Sequence, residues 1–286
     1  MSTFLPMLMA LMMFTMGLSL VKQDLTRIVQ APKPIIIGLL CQLTLLPVIG
    51  FFVASSFQLE PHLLIGFMIL CACPGGIMSN YISFTAKGDM ALSISLTLVS
   101  SIVCVFSIPV IINLTQAAIG STPDQIKLPL LDTMSTIAWL TLVPIAVGML
   151  VKHRFPQLGK KLCERLTTVC SLLLISYVLY LWYLQYDAIT SAFSTVGLPV
   201  LLLILLTSSA AWAIGLFSRL GYSQRVTLVI ETSIQNSALA FTVSAVIMNA
   251  PQYAIPTVFY TVAMFIPAII LIVAGRRKGI ATPISD

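Results

Sequence analysis

Val226–Met248 reads VTLVIETSIQNSALAFTVSAVIM. It is an apolar run long enough to cross a hydrocarbon layer about 30 Å thick, yet it holds a carboxylate, Glu231, with Thr232, Gln235 and Asn236 close behind it. A charged group at bilayer depth costs about 2.5 to 3.5 kcal/mol on insertion scales. The remaining eight carboxylates, Asp24, Glu60, Asp89, Asp124, Asp132, Glu164, Asp187 and Asp286, fall in loops, at span edges or in the tail. No Lys, Arg or His sits inside an apolar run to offset Glu231. Its charge is therefore removed by a proton, with hydrogen bonds to neighbouring helices, or balanced by a bound cation.

Outward from this run the whole chain reads the same way. Of its 286 residues 58% are hydrophobic and 8% charged, too few charges to cover a soluble surface. Apolar runs bounded by charges or turn residues predict nine spans: Phe4–Val21, Pro34–Phe57, His62–Thr85, Ala91–Ile119, Met134–Val151, Leu166–Leu184, Val196–Phe217, Val226–Met248 and Tyr253–Ala274. The bilayer is the expected solvent. With this span count, fourteen of the fifteen Lys and Arg residues fall on one side and only Lys127 on the other. Basic residues gather on the cytoplasmic side, so the N-terminus is expected outside and the C-terminus inside. The first apolar stretch has no basic residues before it and no small-residue cleavage site after it, which predicts a first span in place of a removable leader.

The net charge of +6 is spread through short loops and makes no patch for nucleic acid. No GxxxxGK[ST] motif is present to bind a nucleotide. The six cysteines lie mostly in apolar runs without metal-ligand spacing. Intramembrane enzymes are disfavoured as well: His62 and His153 lie at or beyond span ends, and no pair of Asp residues lies within the spans.

In the third span Pro74-Gly75-Gly76 falls within the apolar run, where proline removes a helix donor and the glycines weaken the turn. A broken helix is predicted there, and unwound backbone at bilayer depth is tolerated where it is buried in protein or lines a cavity. Ser79 and Asn80 follow at once, Ser93 and Thr97 lie one turn apart in the next span, and Gln42 stands alone in the second. Helical spacing would put Gln235 on the face of Glu231, and Asn236 on that of Thr232. A hard monovalent cation needs several oxygen ligands, and this set supplies them. Two sodium ions against one carboxylate leave a charge of +1, which a monoanion neutralises. A proton-coupled carrier, or a sensor that binds without net flux, fits the same residues.

CPGGIMSN at Cys73–Asn80, AKGDMALSISLT at Ala86–Thr97, ETSIQNSALA at Glu231–Ala240 and MFTMGLSL at Met13–Leu20 resemble the motifs of the bile acid:sodium symporter family, including its bacterial members. The resemblance implies an all-α integral membrane protein with an inverted repeat and two broken, crossing helices. A core domain (spans near 34–119 and 196–274) would move against a panel domain (near 4–21 and 134–184), within one membrane unit over 1–286. It implies one sodium ion on Ser79, Asn80, Ser93, Thr97 and Glu231, and a second on Gln42, Glu231 and Gln235 with backbone oxygens of Thr232 and Ile234. Asn236, Gly76 and Ile77 would border the substrate, a small organic anion or a bile-acid-like one, in a bacterial inner membrane. Two departures stand out: nine spans where some relatives have ten, and Ile77 where some carry a hydroxyl after the double glycine.

Overall fold

The computed structural model describes residues 3–20, 30–120 and 129–277. Of the residues used to orient the chain, Lys22, Arg27, Lys127 and Lys278 lie outside that range, and so do Asp24, Asp124 and Asp286. The described residues are helical, with no strands among them. Among the described residues six helices are long and apolar enough to span a bilayer: α2 (Pro32–Ser56), α5 (Met90–Ile119), α6 (Leu130–Arg154), α7 (Pro156–Leu184), α8 (Tyr186–Phe217) and α11 (Pro251–Gly275). The bent pair α3 (Pro61–Ala72) and α4 (Ile77–Thr85) makes a seventh when taken together. A shorter apolar helix, α1 (Phe4–Ser19), precedes them. The remaining pair is α9 (Tyr222–Ser233) and α10 (Ser237–Thr242), the latter running on into a π-helical turn at Val243–Ile247. The chain is a multi-pass membrane protein.

Proline opens several of these helices, at Pro32, Pro61, Pro156 and Pro251; its missing N–H costs nothing in a first turn, whose donors have no helical partner. Two spans run well past their apolar segments. α7 begins ten residues before Leu166, through the charged stretch PQLGKKLCER, and α8 begins ten before Val196, leaving only Gln185 between them. A helix extends beyond the hydrocarbon wherever its sequence allows, and an apolar window does not register that extension.

Burial sorts the helices. The most apolar window of α5 is 61% buried, whereas those of α6 and α7 are 22% buried, leaving most of their surface for lipid. α1 packs tightly on α6. A Cβ at Gly17 would lie 2.2 Å from the carbonyl oxygen of Ile145, and one at Gly148 2.3 Å from that of Phe14. Between helices in lipid, where no hydrophobic effect drives association, such backbone approach is a main source of packing energy.

Candidate functional site

The expected break in the third span is present. α3 ends at Ala72, Cys73–Gly76 is non-helical, and the axis turns by 63° before α4 starts at Ile77. A second break lies at Ile234–Asn236. Ile234 is extended (φ −104°, ψ 104°), and the Asn236 Oδ1 accepts from the Leu239 N–H at 3.1 Å, starting α10. The two breaks meet: the Asn236 N–H donates to the Pro74 carbonyl at 2.9 Å. Each break thus satisfies one backbone group that the other has freed, which is what lets irregular backbone survive away from water. On the other flank the Tyr260 hydroxyl donates to the Ser233 carbonyl at 2.9 Å, closing the end of α9.

Glu231 lies beside this junction, 1% exposed. The Ser93 Oγ is 2.5 Å from its Oε1, and the Thr97 Oγ1 is 2.8 Å from its Oε2. The same two hydroxyls reach the Asn80 Oδ1, at 2.8 and 3.2 Å. Thr97 Oγ1 is also 2.9 Å from the Ser93 carbonyl. Ser79 donates to the Gly76 carbonyl at 2.7 Å. Ser93 and Thr97 share one face of α5, as their spacing predicts, and Ser79 and Asn80 occupy the first turn of α4.

A hydroxyl carries one hydrogen. With the Ser79 hydroxyl spent on Gly76 and the Ser93 carbonyl already receiving the helical Thr97 N–H, two hydroxyls face three further acceptors, the two oxygens of Glu231 and the Asn80 amide oxygen, so hydrogens run short. Turning the Asn80 amide over does not cure this, because its other end is buried without a partner and would then present an unmet carbonyl. A cation among these oxygens satisfies their lone pairs at once, and a proton on Glu231 supplies the missing hydrogen. No group of three or more His, Cys, Asp or Glu side chains suited to a metal occurs among the described residues. One carboxylate among neutral oxygens suits a hard monovalent ion far better than zinc or iron.

Gln42 is 2% exposed, and neither end of its amide has a partner. It sits in a π-helical turn, Cys41–Leu45, inside α2 and packed against α9; such turns recur at functional sites. The Gln235 Nε2 donates to the Thr232 carbonyl at 2.8 Å, leaving its Oε1 unpartnered. The Thr232 hydroxyl is turned back onto the Leu228 carbonyl at 2.7 Å, so the backbone oxygen is the group Thr232 offers to its surroundings. Asn236, Gly76 and Ile77 come together at the junction, with a Cβ on Gly76 lying 3.8 Å from Asn236.

Gln235 and Asn236 do not lie on the helical faces of Glu231 and Thr232 that their spacing predicts. α9 stops at Ser233, so Gln235 lies in the break and Asn236 caps the next helix, and neither continues a face begun at Glu231 or Thr232. Two members of the site escaped the sequence. Gly75 lies so close that a Cβ there would be 2.7 Å from the Glu231 Oε2, and Tyr260 is wholly buried. The signal for Tyr260 was a phenol in an apolar span, which needs a partner for its hydroxyl.

The model of the Sodium Bile acid symporter family matches residues 6–191. The chain belongs to that family. The sodium bile acid symporter family and the relatives below are transporters, not enzymes. A probable sodium/metabolite cotransporter of rice chloroplasts, BASS2, is 27% identical over 94% of this chain and 63% of its own length. An uncharacterized sodium-dependent transporter of Bacillus subtilis, YocS, is 25% identical over 91% of the chain and 79% of its own. The human sodium-dependent organic anion transporter is 35% identical over 54% of the chain and 40% of its own. The chain thus spans between 40% and 79% of the length of these three relatives.

Proposed function

We propose that this member of the family is a sodium-coupled symporter of an organic anion, working by alternating access. The observation that carries the reading is a buried carboxylate held among more acceptor oxygens than hydrogens, where two helix breaks meet. Glu231, Ser79, Asn80, Ser93 and Thr97 hold one sodium ion. Gln42, Glu231 and Gln235, with the backbone oxygens of Thr232 and Ile234, hold a second; the amide oxygens of Gln42 and Gln235, both without a hydrogen-bond partner, would gain one in the ion. Asn236, Gly76 and Ile77 border the anion, and two sodium ions against one carboxylate leave a single positive charge for it to neutralise.

Sodium draws the oxygens around both breaks onto itself, and the ordered junction then favours the anion; by linkage the anion tightens sodium to the same degree. The proposed moving unit comprises the spans near 34–119 and 196–274, shifting against those near 4–21 and 134–184. The N-terminus is outside and the C-terminus cytoplasmic, because basic residues favour the inner side. Purified protein screened against anionic metabolites in sodium and in potassium should be stabilised only by a pairing of sodium with one solute class. Uptake of that solute with sodium replaced by choline, across a range of pH, then decides the coupling ion. Undiminished uptake without sodium refutes the reading in favour of a proton on Glu231.

A further inference from the structure

Arg225 opens the half-helix that carries Glu231, and its surroundings are unusual. The guanidinium lies 4.9 Å from the centre of the Trp212 ring, on α8. Trp212 in turn meets the Tyr222 ring edge-on, centroids 5.9 Å apart. The aliphatic stem of Arg225 is wedged on Gly215, where a Cβ would come within 2.8 Å of the Arg225 Cγ. The arginine is therefore placed by packing on both its stem and its head. Its charge is nonetheless unanswered: the buried Nε has no hydrogen-bond partner, and no ion pair reaches the group among the described residues. An aromatic face holds a guanidinium in position but takes none of its hydrogen bonds.

The location narrows what could answer it. The first turn of α9 packs on the loop before α5, the Asp89 N–H donating to the Ser223 carbonyl at 3.2 Å. This end of the molecule thus also carries Lys87 and the exposed Arg219. Beside the cluster α8 ends in two lipid-accessible side chains, Leu216 at 54% and Phe217 at 85% exposure. A fixed planar cation at a membrane surface, an aromatic shelf beneath it and exposed apolar side chains alongside match a phosphodiester joined to acyl chains.

We propose that Arg225, Trp212 and Tyr222 form a binding site for the headgroup of an anionic phospholipid, its acyl chains lying along Leu216 and Phe217. Bound there, the lipid would pin the start of α9, six residues or about 9 Å of helix from Glu231. The proposal does not depend on what the chain transports.

Native mass spectrometry of the detergent-purified protein, titrated with phosphatidylglycerol or phosphatidylcholine, tests it. The wild type should retain at least threefold more phosphatidylglycerol at equal concentration. Arg225→Gln should retain the two lipids equally, while Lys160→Gln, a basic residue exposed at the start of α7, should behave as wild type. Equal retention by the wild type, or an undiminished preference in Arg225→Gln, overturns the site. So does stabilisation by inorganic phosphate as strong as that by phosphatidylglycerol, which would show a free anion to be the ligand. Should Arg225→Gln fail to fold, the native arginine can be kept and Trp139 and Trp182 changed to Phe, leaving Trp212 as the only tryptophan. Brominated phosphatidylglycerol should then quench its fluorescence at a lower mole fraction than brominated phosphatidylcholine, and equal quenching refutes the proposal.

Discussion

Adjacent glycines at the first break should respond in opposite ways to the same small change. Neither has a positive φ, so the backbone accepts alanine at both. At Gly75 the new methyl would sit 2.7 Å from the Glu231 Oε2 and 3.1 Å from the Ser79 Oγ. Ordinary contact begins near 3.4 Å, so the carboxylate must retreat by about 0.7 Å, giving up its position between Ser93 and Thr97. Holding a side chain that far from its preferred rotamer costs roughly 0.5 to 1.5 kcal/mol, which is about a two- to twelvefold weaker sodium affinity. At Gly76 the nearest atoms to the new methyl belong to Asn236, 3.8 Å away, which is ordinary contact. The measurement needs no knowledge of the substrate: melting temperature of the purified protein against sodium concentration, at constant ionic strength with potassium as replacement. Gly75→Ala should move the half-saturating concentration up by that factor and still melt cooperatively; Gly76→Ala should reproduce the wild-type curve. If both variants follow the wild-type curve, or if Gly76→Ala weakens sodium as much as its neighbour, the carboxylate is not the ion's anchor.

Four further outcomes follow from the same geometry. Glu231→Gln should lose sodium stabilisation while expressing normally, since it keeps the volume and removes the charge; a wild-type sodium curve in that variant would dismiss Glu231 as a ligand. Thr97→Ala and Gln235→Ala should each raise the sodium needed for half-saturation while leaving a response, and an unchanged midpoint removes either residue from the ligand set. Gln42→Leu replaces an amide with two unmet ends by an apolar side chain of similar length. It should raise the melting temperature in potassium, since each buried orphan group costs about 1 to 3 kcal/mol, and steepness of the sodium response should fall; a lower melting point in potassium argues that Gln42 has a structural partner. Gly148→Ala, with its Cβ 2.3 Å from the Phe14 carbonyl, should push α1 and α6 apart at a cost of about 1 to 3 kcal/mol, read as a lower melting point in sodium and potassium alike.

What the sequence disclosed, and what it hid, divides along one physical line. Glu231 was legible because the cost of a charge in hydrocarbon makes a lone carboxylate conspicuous against apolar neighbours. The first break was legible because Pro74, Gly75 and Gly76 each weaken a helix by their own covalent structure. The second break contains neither proline nor glycine. Ile234, Gln235 and Asn236 would all tolerate a helix, and the chain leaves it there because Asn236 caps α10 and its N–H finds the Pro74 carbonyl. That bond joins residues 162 positions apart in sequence, so no local propensity could announce it, and spacing arguments that carried a helical face through Gln235 went wrong at that point. The π-helical turn at Gln42 was hidden for a related reason: the ladder slips by one residue within a uniformly apolar helix, and composition is blind to register. The family resemblance pointed to a second broken helix, which residue physics did not. Gly75 shows the complementary limit, since its importance to the site lies in the missing atom beside Glu231, a fact about three-dimensional closeness that a helix-breaking signal cannot contain. The junction is thus specified by pairs of distant residues, each ordinary alone, and this is why the differential response of two neighbouring glycines tests it more sharply than removal of the carboxylate itself.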